Sequence, residues 1–309
     1  MYQISKIIET ADKYGFIAKE NESMSKHTSF KIGGDARLFI EATSNEGLID
    51  ILTKCKELEI PVFILGKGSN LLVSDDGIDG VVIKLGGVFT QIKMLDSETI
   101  YCGAGVALAK LCSYACDKGL SGLEFAWGIP GSVGGAAYMN AGAYGGEMKD
   151  VISSCTHIDA DNTVGTYGVS QLDLSYRHSV YSENHFVITA VTLRLHHDSE
   201  VEIRNRMNDY MGRRKDKQPL EYPSAGSVFK RPQGYFAGAL IQEANLRGEQ
   251  IGGAQVSEKH AGFIINKGNA SCKDVMELIR LVQDRVKKNS GVDLECEIKP
   301  VGRFNIFNI

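Results

Sequence analysis

The amino-acid sequence predicts an α+β protein that divides into two or three compact units. The chain has 309 residues, of which 43% are hydrophobic and 23% charged, an ordinary composition for a chain that buries a large core. Domains hold roughly 100 to 200 residues each. Apolar residues follow helical spacing in some segments and strand-like patterns in others, with no low-complexity block or long linker between them. A natively disordered chain is therefore excluded.

The first region, residues 1–88, combines helices with buried strands. Its opening segment has the i, i+3, i+4, i+7 spacing of an amphipathic helix, with apolar residues at Ile4, Ile7, Ile8, Ala11 and Tyr14. Charged residues interrupt this stripe, which favours a helix over a signal peptide. A second helix is predicted over Glu46–Leu58, and the apolar runs Val62–Leu65 and Val81–Leu85 predict strands.

The second region, residues 89–200, is predicted to be mostly strand and loop. A strand is predicted at Thr99–Cys102, followed by a helix over Ala107–Lys118 that Gly119 ends. A long glycine-rich stretch comes next. The alternating segment Phe186–Leu195 then predicts another strand.

The third region, residues 201–293, opens and closes with a helix. The first is predicted over Val201–Lys217, where Gln218-Pro219 ends it. The second is predicted over Ser271–Ser290, with Ser271 and Asp274 as a capping box and Gly291 after its end. A strand is predicted at Leu294–Ile298, and the segment 294–309 is expected to return near the first region.

The charge balance disfavours several classes of partner. Lys and Arg number 34 against 38 Asp and Glu, a formal charge of −4, and no basic block is longer than Arg213-Arg214-Lys215. Nucleic-acid binding is therefore not expected. No apolar run approaches the roughly 20 residues that cross a bilayer. We expect a cytoplasmic protein with no membrane association and no obligate protein partner.

The cysteines and histidines do not form a metal-binding pattern. Seven cysteines are scattered with no C-x-x-C pair, and seven histidines include no H-E-x-x-H. The cysteines are expected to be reduced and mostly buried. Cys112 and Cys116 are four residues apart on a predicted helix, where a shared apolar face is a better interpretation than a metal site without further ligands. No metal is predicted.

Two glycine-rich clusters are the most informative local feature. The chain contains 34 glycines, more than the usual share of about 7%. They concentrate in Gly66–Asn70 and in the stretch from Gly128 to Gly146. Loops without Cβ atoms let backbone N–H groups approach an anion closely, so the pair of clusters predicts an anionic cofactor. The alternative is that they are simply tight turns.

Two common nucleotide-binding motifs are absent from these clusters. Leu71 stands where G-x-G-x-x-G requires its last glycine, and neither cluster reads G-x-x-x-x-G-K-[ST]. A Rossmann fold and a P-loop are therefore disfavoured.

Seven motifs occur in an order that resembles the UDP-N-acetylenolpyruvoylglucosamine reductases, from about Ser29 to Arg303. They are Ser29-Phe30-Lys31-Ile32-Gly33-Gly34, Leu65–Val73, Gly128–Gly135, Met139–Gly145, Ser175-Tyr176-Arg177, Gly226-Ser227-Val228-Phe229-Lys230 and Glu295-Cys296-Glu297. Each tripeptide alone is common, but seven collinear motifs are specific. The resemblance implies flavoenzymes that act in peptidoglycan precursor synthesis.

The fold implied by this resemblance is an FAD-binding fold of the vanillyl-alcohol-oxidase type. Two subdomains, at 1–88 and 89–200, would hold FAD non-covalently, and an α+β domain at 201–293 would bind the substrate. The cofactor residues implied are Gly66, Lys67, Gly68, Ser69, Asn70, Leu71, Gly131, Ser132, Gly134, Gly135, Asn140, Ala141 and Gly142. None of the His or Cys residues is assigned a covalent flavin link.

The reaction implied has two hydride steps. NADPH reduces FAD, and reduced FAD then passes hydride to the enolpyruvyl group of UDP-N-acetylglucosamine enolpyruvate, giving UDP-N-acetylmuramate. The protein supplies position, charge and one proton. The resemblance assigns these roles to Arg177, Ser227 and Glu297.

Each of these three residues also has an ordinary structural interpretation. Arg177 is suited to hold a carboxylate bidentately, but a lone arginine is most often a surface residue. Ser227 follows Gly226 and precedes Val228-Phe229, which we expect to resume a strand, yet a turn serine usually bonds its own backbone. Glu297 would point into a cleft from the predicted strand, or form part of a solvated face.

Several cations and one aromatic residue are predicted to contact the substrate. Arg213, Lys217, Lys230 and Arg231 are concentrated at the edges of the third region and suit a diphosphate, or else a solubilising surface. Arg247 and Tyr176 are assigned by family position. Only about 50 residues separate Arg177 from Ser227, which indicates the shorter class of the family, without an inserted lid.

Two other functions stay open at this point. An FAD-dependent oxidase of the same fold would reoxidise its flavin rapidly in air. A non-catalytic flavin or sugar-nucleotide-binding module would be yellow but would not consume NADPH in the presence of the enolpyruvyl substrate.

Overall fold

The computed structural model describes residues 2–303 and confirms the predicted mixture of helices and strands. The chain forms two compact units, each assembled from separate segments. Unit A comprises the residues up to Glu20, Leu38–Lys67 and Gly80–Arg214. Unit B comprises Asn21–Arg37, Gly68–Asp79 and the chain from Lys215 onward.

Five helices in the described part of the chain, at 2–13, 45–57, 108–117, 200–217 and 272–290, were predicted from their periodicity, and three shorter ones were not. Together they are α1 Tyr2–Lys13, α2 Asn45–Glu57, α3 Leu108–Asp117, α4 Val133–Tyr138, α5 Tyr181–Asn184, α6 Glu200–Lys217, α7 Ala237–Glu243 and α8 Cys272–Ser290. The caps of α8 are as predicted, because Ser271 and Asp274 form a capping box and Gly291 adopts a left-handed φ of 75°. These local signals fix both ends of the helix.

Unit A contains two main sheets that share one apolar core. Strands β1 Ile17–Ser23, β2 Asp35–Ala42, β3 Val62–Leu65 and β5 Ile78–Leu85 form a sheet of order β1-β2-β5-β3. A five-stranded antiparallel sheet, β12-β11-β13-β7-β6, consists of β6 Ile92–Met94, β7 Thr99–Gly103, β11 Ile152–Ile158, β12 Val164–Gly168 and β13 Val187–Arg194. Ile40 and Ile83 of the first sheet belong to the same buried cluster as Val191 of the second.

Short strand pairs complete unit A. They are β8 Leu120–Ser121 with β14 His196–His197, and β9 Gly142–Ala143 with β10 Gly146–Glu147. The second pair forms a hairpin inside the glycine-rich stretch. The turn of that hairpin therefore accounts for part of the local glycine content.

Unit B is a smaller α+β unit with its own core. Strands β15 Ser224–Ser227, β16 Gln250–Ile251, β17 Ala254–Val256 and β18 Phe263–Asn266 form an antiparallel sheet of order β15-β18-β17-β16. Strand β4 Leu71–Val73 pairs in parallel with β19 Lys299–Val301. Apolar residues of α8, including Val275, Ile279 and Val282, are buried in this core. The Asp75 carboxylate accepts hydrogen bonds from Cys272 N and Lys273 N at the start of α8.

The predicted strand at Leu294–Ile298 is wrong. This segment is extended, but it makes only an isolated bridge, between Phe229 and Cys296, and the regular strand begins at Lys299. Leu294 and Ile298 are buried as the alternation predicted. An apolar alternation indicates which side chains are buried, whereas strand pairing also requires a partner at the right register.

The domain boundaries predicted at 88/89, 200/201 and 293/294 stay predictions. Part of the segment 294–309, residues 304–309, lies outside the described residues. Within 2–303, no helix combines the length and the apolar character that a membrane crossing requires.

All seven cysteines are free thiols and six are buried, as predicted. Burial raises the pKa of the Cys55 and Cys155 thiols to about 12, so they stay protonated at neutral pH. Cys116, Asp117 and Glu200 lie close enough together to hold a metal ion. The Arg204 guanidinium already binds both carboxylates, at 3.1 Å and 2.8 Å.

Candidate active site

The two glycine clusters meet inside unit A. A Cβ added to Gly66, just after β3, would lie 2.6 Å from Ser132 Oγ. Ser132 is buried and caps α4, because its Oγ accepts a hydrogen bond from Gly135 N at 3.2 Å. Glycine at 66 therefore allows the first cluster to pack directly on the second.

The second cluster is held against the segment that precedes α3. Leu108 N donates to Gly131 O, and Gly134 N donates to Ala104 O, each at 2.9 Å. A Cβ on Gly134 would lie 2.7 Å from the Ala104 Cβ. Close backbone packing explains this glycine, and it also gives the loop one well-defined shape.

Asn140 connects the glycine-rich stretch to the turn that carries Arg177. Its side chain is fully buried, and its Nδ2 donates to Glu147 Oε2 at 2.7 Å and to Ser175 O at 2.9 Å. Its Oδ1 accepts from Lys149 N at 2.8 Å. The side-chain amide is thus used within the protein, and Asn140 N also donates to Ala137 O at 3.2 Å, so the role of Asn140 in cofactor binding stays a prediction.

Arg177 occupies a strained position in a tight turn. Ser175 and His178 form a bridge by exchanging two backbone hydrogen bonds, with Tyr176 and Arg177 between them. Arg177 has a φ of 57°, a left-handed conformation that a residue with a Cβ adopts at a cost of about 1–3 kcal/mol. Its guanidinium lies over the Tyr176 ring, 5.0 Å from the centroid. Strain of this kind is concentrated at functional sites.

In unit B, the loop from Gly68 to Leu71 lies beside the segments that carry the other two predicted catalytic residues. Asn70 Nδ2 donates to Glu297 O at 3.1 Å, and Lys299 N donates to Asn70 O at 2.8 Å. Ser29 N donates to Gly68 O at 3.1 Å, while Ser29 Oγ donates to Ser224 O at 2.6 Å. The loop is therefore tied to both the strand of Ser227 and the segment of Glu297.

The conformation of this loop depends on Gly68. Its φ is 62°, and an added Cβ would lie 2.2 Å from His27 O. We expect Gly68→Ala to lower the free energy of unfolding by about 2–4 kcal/mol, because left-handed strain and a backbone clash add together. Chemical denaturation of the variant and the wild type measures the difference in the free energy of unfolding.

The matched control is Gly291→Ala, also in unit B. Gly291 has a φ of 75° with no atom near its added Cβ, so it should lose only the conformational part, about 1 kcal/mol. Equal losses for the two variants would contradict the packing explanation.

Ser227 is the last residue of β15 and follows a β-bulge. The pairing of β15 with β18 shifts between Ser224 and Ser227, and Gly226 has a φ of 82°. Bulges redirect side chains and are common beside active sites. The expectation that Val228-Phe229 resumes a strand is wrong, because β15 ends at Ser227 and only Phe229 makes an isolated bridge.

The Ser227 hydroxyl is not used as a structural hydrogen bond. Its Oγ has no hydrogen-bond partner among residues 2–303, and the residue is only partly buried. The alternative of a turn serine bonded to its own backbone is therefore not what the structure shows. The hydroxyl remains available to a ligand.

Glu297 is brought directly beside Ser227. Glu297 N donates to Val228 O at 2.7 Å, and Phe229 bridges to Cys296. Two residues 70 positions apart in the sequence thus lie on neighbouring backbone segments of unit B. Both residues are partly buried.

Three of the basic residues of unit B that are predicted to bind the substrate contact other residues of the protein. Lys230 pairs with the Glu295 carboxylate. The Arg231 guanidinium covers the Phe236 ring at 4.1 Å, and Arg247 donates to Glu258 O at 2.7 Å and Gln242 Oε1 at 2.6 Å. Lys217 is exposed at the end of α6.

Arg213 is among the residues predicted to contact the substrate, whereas the neighbouring Arg214 is not. Arg213 is exposed on α6, where it pairs with Asp209 at 2.8 Å. Arg214 is partly buried in unit A, and a Cβ on Gly128 would lie 2.9 Å from its Cδ. Helical spacing places Arg214 on the face of Ile203, Met207 and Met211. A charged residue on an otherwise apolar helix face is the sequence signal that could have identified Arg214.

The donors present suit an anionic dinucleotide cofactor. Gly68 is buried, and the backbone N–H groups of Gly68 and Asn70 donate no hydrogen bond to any residue that the structure describes. Backbone N–H groups that have no acceptor within the protein can bind phosphate oxygens. In unit A, the Arg214 guanidinium supplies a positive charge beside the glycine-rich stretch.

Two known protein families match separate parts of this chain. Residues 36–168 match a family described as "FAD binding domain", so the chain is a flavoprotein, as predicted. Residues 218–301 match the "UDP-N-acetylenolpyruvoylglucosamine reductase, C-terminal domain".

The relatives extend this match to nearly the whole chain. A UDP-N-acetylenolpyruvoylglucosamine reductase of Syntrophomonas wolfei is 49% identical over 92% of this chain and 95% of its own length. One from Agathobacter rectalis is 45% identical over 97% and 98%. The crystal structure of the Thermus caldophilus reductase has a TM-score of 0.79 at 36% identity, covering 93% of this chain and 98% of that one. The chain therefore belongs to the UDP-N-acetylenolpyruvoylglucosamine reductase family.

Proposed function

We propose that this protein reduces the enolpyruvyl group of UDP-N-acetylglucosamine enolpyruvate to give UDP-N-acetylmuramate, with NADPH as the source of hydride. The observation that carries the proposal is that Ser227 and Glu297 lie on adjacent backbone segments, and that the Ser227 hydroxyl makes no hydrogen bond with any residue in 2–303. A hydride-transfer enzyme of this kind needs one acid to complete the reduction, and we propose that this acid is in unit B.

Bound FAD supplies the hydride chemistry by accepting hydride from NADPH and donating it to the substrate. Within unit A, Gly66, Ser132 and the loop to Gly142 would hold it. The remaining steps belong to residues of the chain.

Arg177 is proposed to bind the substrate carboxylate. Hydride addition to the methylene carbon leaves negative charge on the neighbouring carbon and on this carboxylate. A guanidinium can hold both carboxylate oxygens and stabilise that charge as it forms. Tyr176 beneath the guanidinium restricts its orientation and is proposed as a substrate contact.

Ser227 is proposed to donate the proton to the carbon that carries the negative charge. A hydroxyl is a weak acid at neutral pH, but a carbanion is a strong enough base to take its proton. Ser227 follows the β-bulge at Gly226, and no residue in 2–303 accepts a hydrogen bond from its Oγ. Lys217, Lys230, Arg231 and Arg247 are proposed to bind the phosphate and uridine parts of the substrate, with Arg213 the weakest candidate because it pairs with Asp209.

Glu297 is proposed as a second acid-base residue. We expect Glu297→Gln to slow flavin reoxidation by the substrate about 10²-fold, since a general acid-base group contributes at least that much. Flavin reduction by NADPH should be unchanged, and one limb of the pH profile of reoxidation should disappear. Stopped-flow absorbance measures both half-reactions.

The matched control for Glu297 is Asp293→Asn, which removes an exposed carboxylate that pairs with Lys287. The role of Glu297 is wrong if its variant reoxidises at the same rate as this control.

The function as a whole is tested by absorbance of the purified protein under anaerobic conditions. Flavin bands should bleach with NADPH and return when the enolpyruvyl sugar nucleotide is added. Rapid return in air without that substrate would indicate an oxidase instead. Bands that do not bleach would indicate a binding module.

A further inference from the structure

We propose that Ser179 and Asn140 are positioning residues, which fix the turn that carries Arg177 and so place its guanidinium for the substrate carboxylate. The inference rests on the proposed function for the role of Arg177, but the contacts that carry it lie within unit A. Ser179 is in none of the sequence motifs, and Asn140 was predicted only as a cofactor contact.

The turn that carries Arg177 needs support from outside itself. Arg177 has a φ of 57°, and a left-handed residue with a Cβ persists only where its surroundings fix it. The turn itself supplies two hydrogen bonds, from Ser175 N to His178 O at 3.2 Å and from His178 N to Ser175 O at 3.1 Å. These bonds close the turn, but they do not fix its position in unit A.

Two buried side chains tie both sides of the turn to one short segment of the chain. Ser179 Oγ donates to Tyr138 O at 2.7 Å, and Asn140 Nδ2 donates to Ser175 O at 2.9 Å. Ser179 and Asn140 are both fully buried, and a buried group that loses its hydrogen-bond partner is not compensated by water. The residues two positions before and two positions after Arg177 are therefore held against residues 138–140.

The orientation of the Asn140 amide is fixed by its other contacts. Its Oδ1 accepts from Lys149 N at 2.8 Å, and its Nδ2 also donates to Glu147 Oε2 at 2.7 Å. A backbone N–H can only donate, so Oδ1 faces Lys149 and the nitrogen faces Ser175 O. Residues 147–149 thus determine which end of the amide holds the turn.

The segment that anchors the turn belongs to the glycine-rich stretch, which is predicted to contact the flavin. Asn140 is followed by Ala141 and Gly142, two more of the predicted cofactor residues. The two hydrogen bonds would therefore set the distance between the cofactor and the Arg177 guanidinium. Displacement of a group by about 1 Å can lower a rate about 10²-fold, so both bonds matter for the reaction even if neither side chain touches the substrate.

The test measures flavin reoxidation by the enolpyruvyl substrate in Ser179→Ala, in Arg177→Gln and in the double variant. Ser153→Ala is the matched control, because its Oγ also donates to a backbone carbonyl of unit A, that of Thr192 at 3.1 Å. Asn140→Asp has nearly the same shape but replaces the donor Nδ2 by an oxygen, and it tests the second bond. Titration of each apoprotein with FAD and thermal unfolding check cofactor binding and folding.

We expect Ser179→Ala to slow reoxidation about 10- to 10²-fold, while flavin reduction by NADPH keeps the wild-type rate. In the Arg177→Gln background the same substitution should slow reoxidation no further, because the effects of residues that act through one another do not add. Asn140→Asp should also slow reoxidation selectively, and Ser153→Ala should keep the wild-type rate. If Ser179→Ala does not fold, Ser179→Cys takes its place, since it keeps the shape but is a weaker donor.

The inference is wrong if the Ser179 variant reoxidises like Ser153→Ala, or if it slows reoxidation by the same factor with and without Arg177. Equal slowing of flavin reduction and reoxidation would also overturn it, because a general loss of structure affects both half-reactions. A wild type that is reduced by NADPH but is not reoxidised by the substrate would instead refute the proposed function.

Discussion

Ser227→Ala is expected to slow reoxidation of the reduced flavin by the enolpyruvyl substrate about 10²- to 10⁴-fold, the range for loss of a general acid. Reduction of the flavin by NADPH should proceed at the wild-type rate, because Ser227 takes part only in the second half-reaction. Stability should change little, since Oγ makes no hydrogen bond within the described chain. Stopped-flow absorbance separates the two half-reactions.

Ser224→Ala provides the control for Ser227. It is the same substitution three residues earlier in β15, and the Ser224 contact that anchors the strand is made by its backbone carbonyl, which accepts from Ser29 Oγ at 2.6 Å. We expect this variant to keep wild-type reoxidation. If both serine variants slow reoxidation equally, the effect comes from the strand and not from a proton donor.

Arg177→Gln is expected to lower turnover about 10²- to 10³-fold, the effect of removing a group that stabilises developing negative charge. Arg177→Lys should recover only part of this, because a lysine keeps the charge but loses the planar pair of donors. Arg194→Gln, which removes an exposed guanidinium of unit A paired with Glu98, controls for a simple change in net charge. Steady-state kinetics measures all three.

Arg177→Gly separates function from backbone conformation. Glycine adopts the φ of 57° found at this position without strain, so the free energy of unfolding should stay the same or rise by about 1 kcal/mol. Turnover should nevertheless fall as far as in Arg177→Gln. A Gly variant that is both clearly less stable and as active as wild type would show that the arginine is kept for the fold.

Several elements of the fold were predictable because their signals are local. Helix α8 shows this most clearly, since Ser271, Asp274 and Gly291 mark its ends and its apolar stripe marks the buried face. The segment Leu294–Ile298 shows where such reasoning fails. The predicted burial of Leu294 and Ile298 is confirmed, but the predicted strand is wrong. Hydrogen bonding between strands depends on residues far away in the sequence.

The candidate site was predictable to a similar extent. Glycine clusters and collinear motifs indicated a flavoprotein, which the FAD-binding domain match confirms. The choice between Arg213 and Arg214 required the structure, because residues one position apart differ by about 100° around a helix. Likewise, only the structure could show that the Ser227 hydroxyl has no hydrogen-bond partner among residues 2–303.

By itself, the sequence determined the five longer helices, the strands at 62–65, 78–85, 99–103 and 187–194, the α+β class, the reduced cysteines and the family. These depend on periodicity, capping residues and the order of short motifs along the chain. Only the tertiary structure decided that Ser227 and Glu297 lie on adjacent backbone segments, that Asn140 holds the turn of Arg177, and that Arg214 lies beside Gly128 with no ion pair to a carboxylate in 2–303. The physical reason is that contacts between distant segments depend on packing and on which polar groups are already satisfied, and neither is a property of the local sequence.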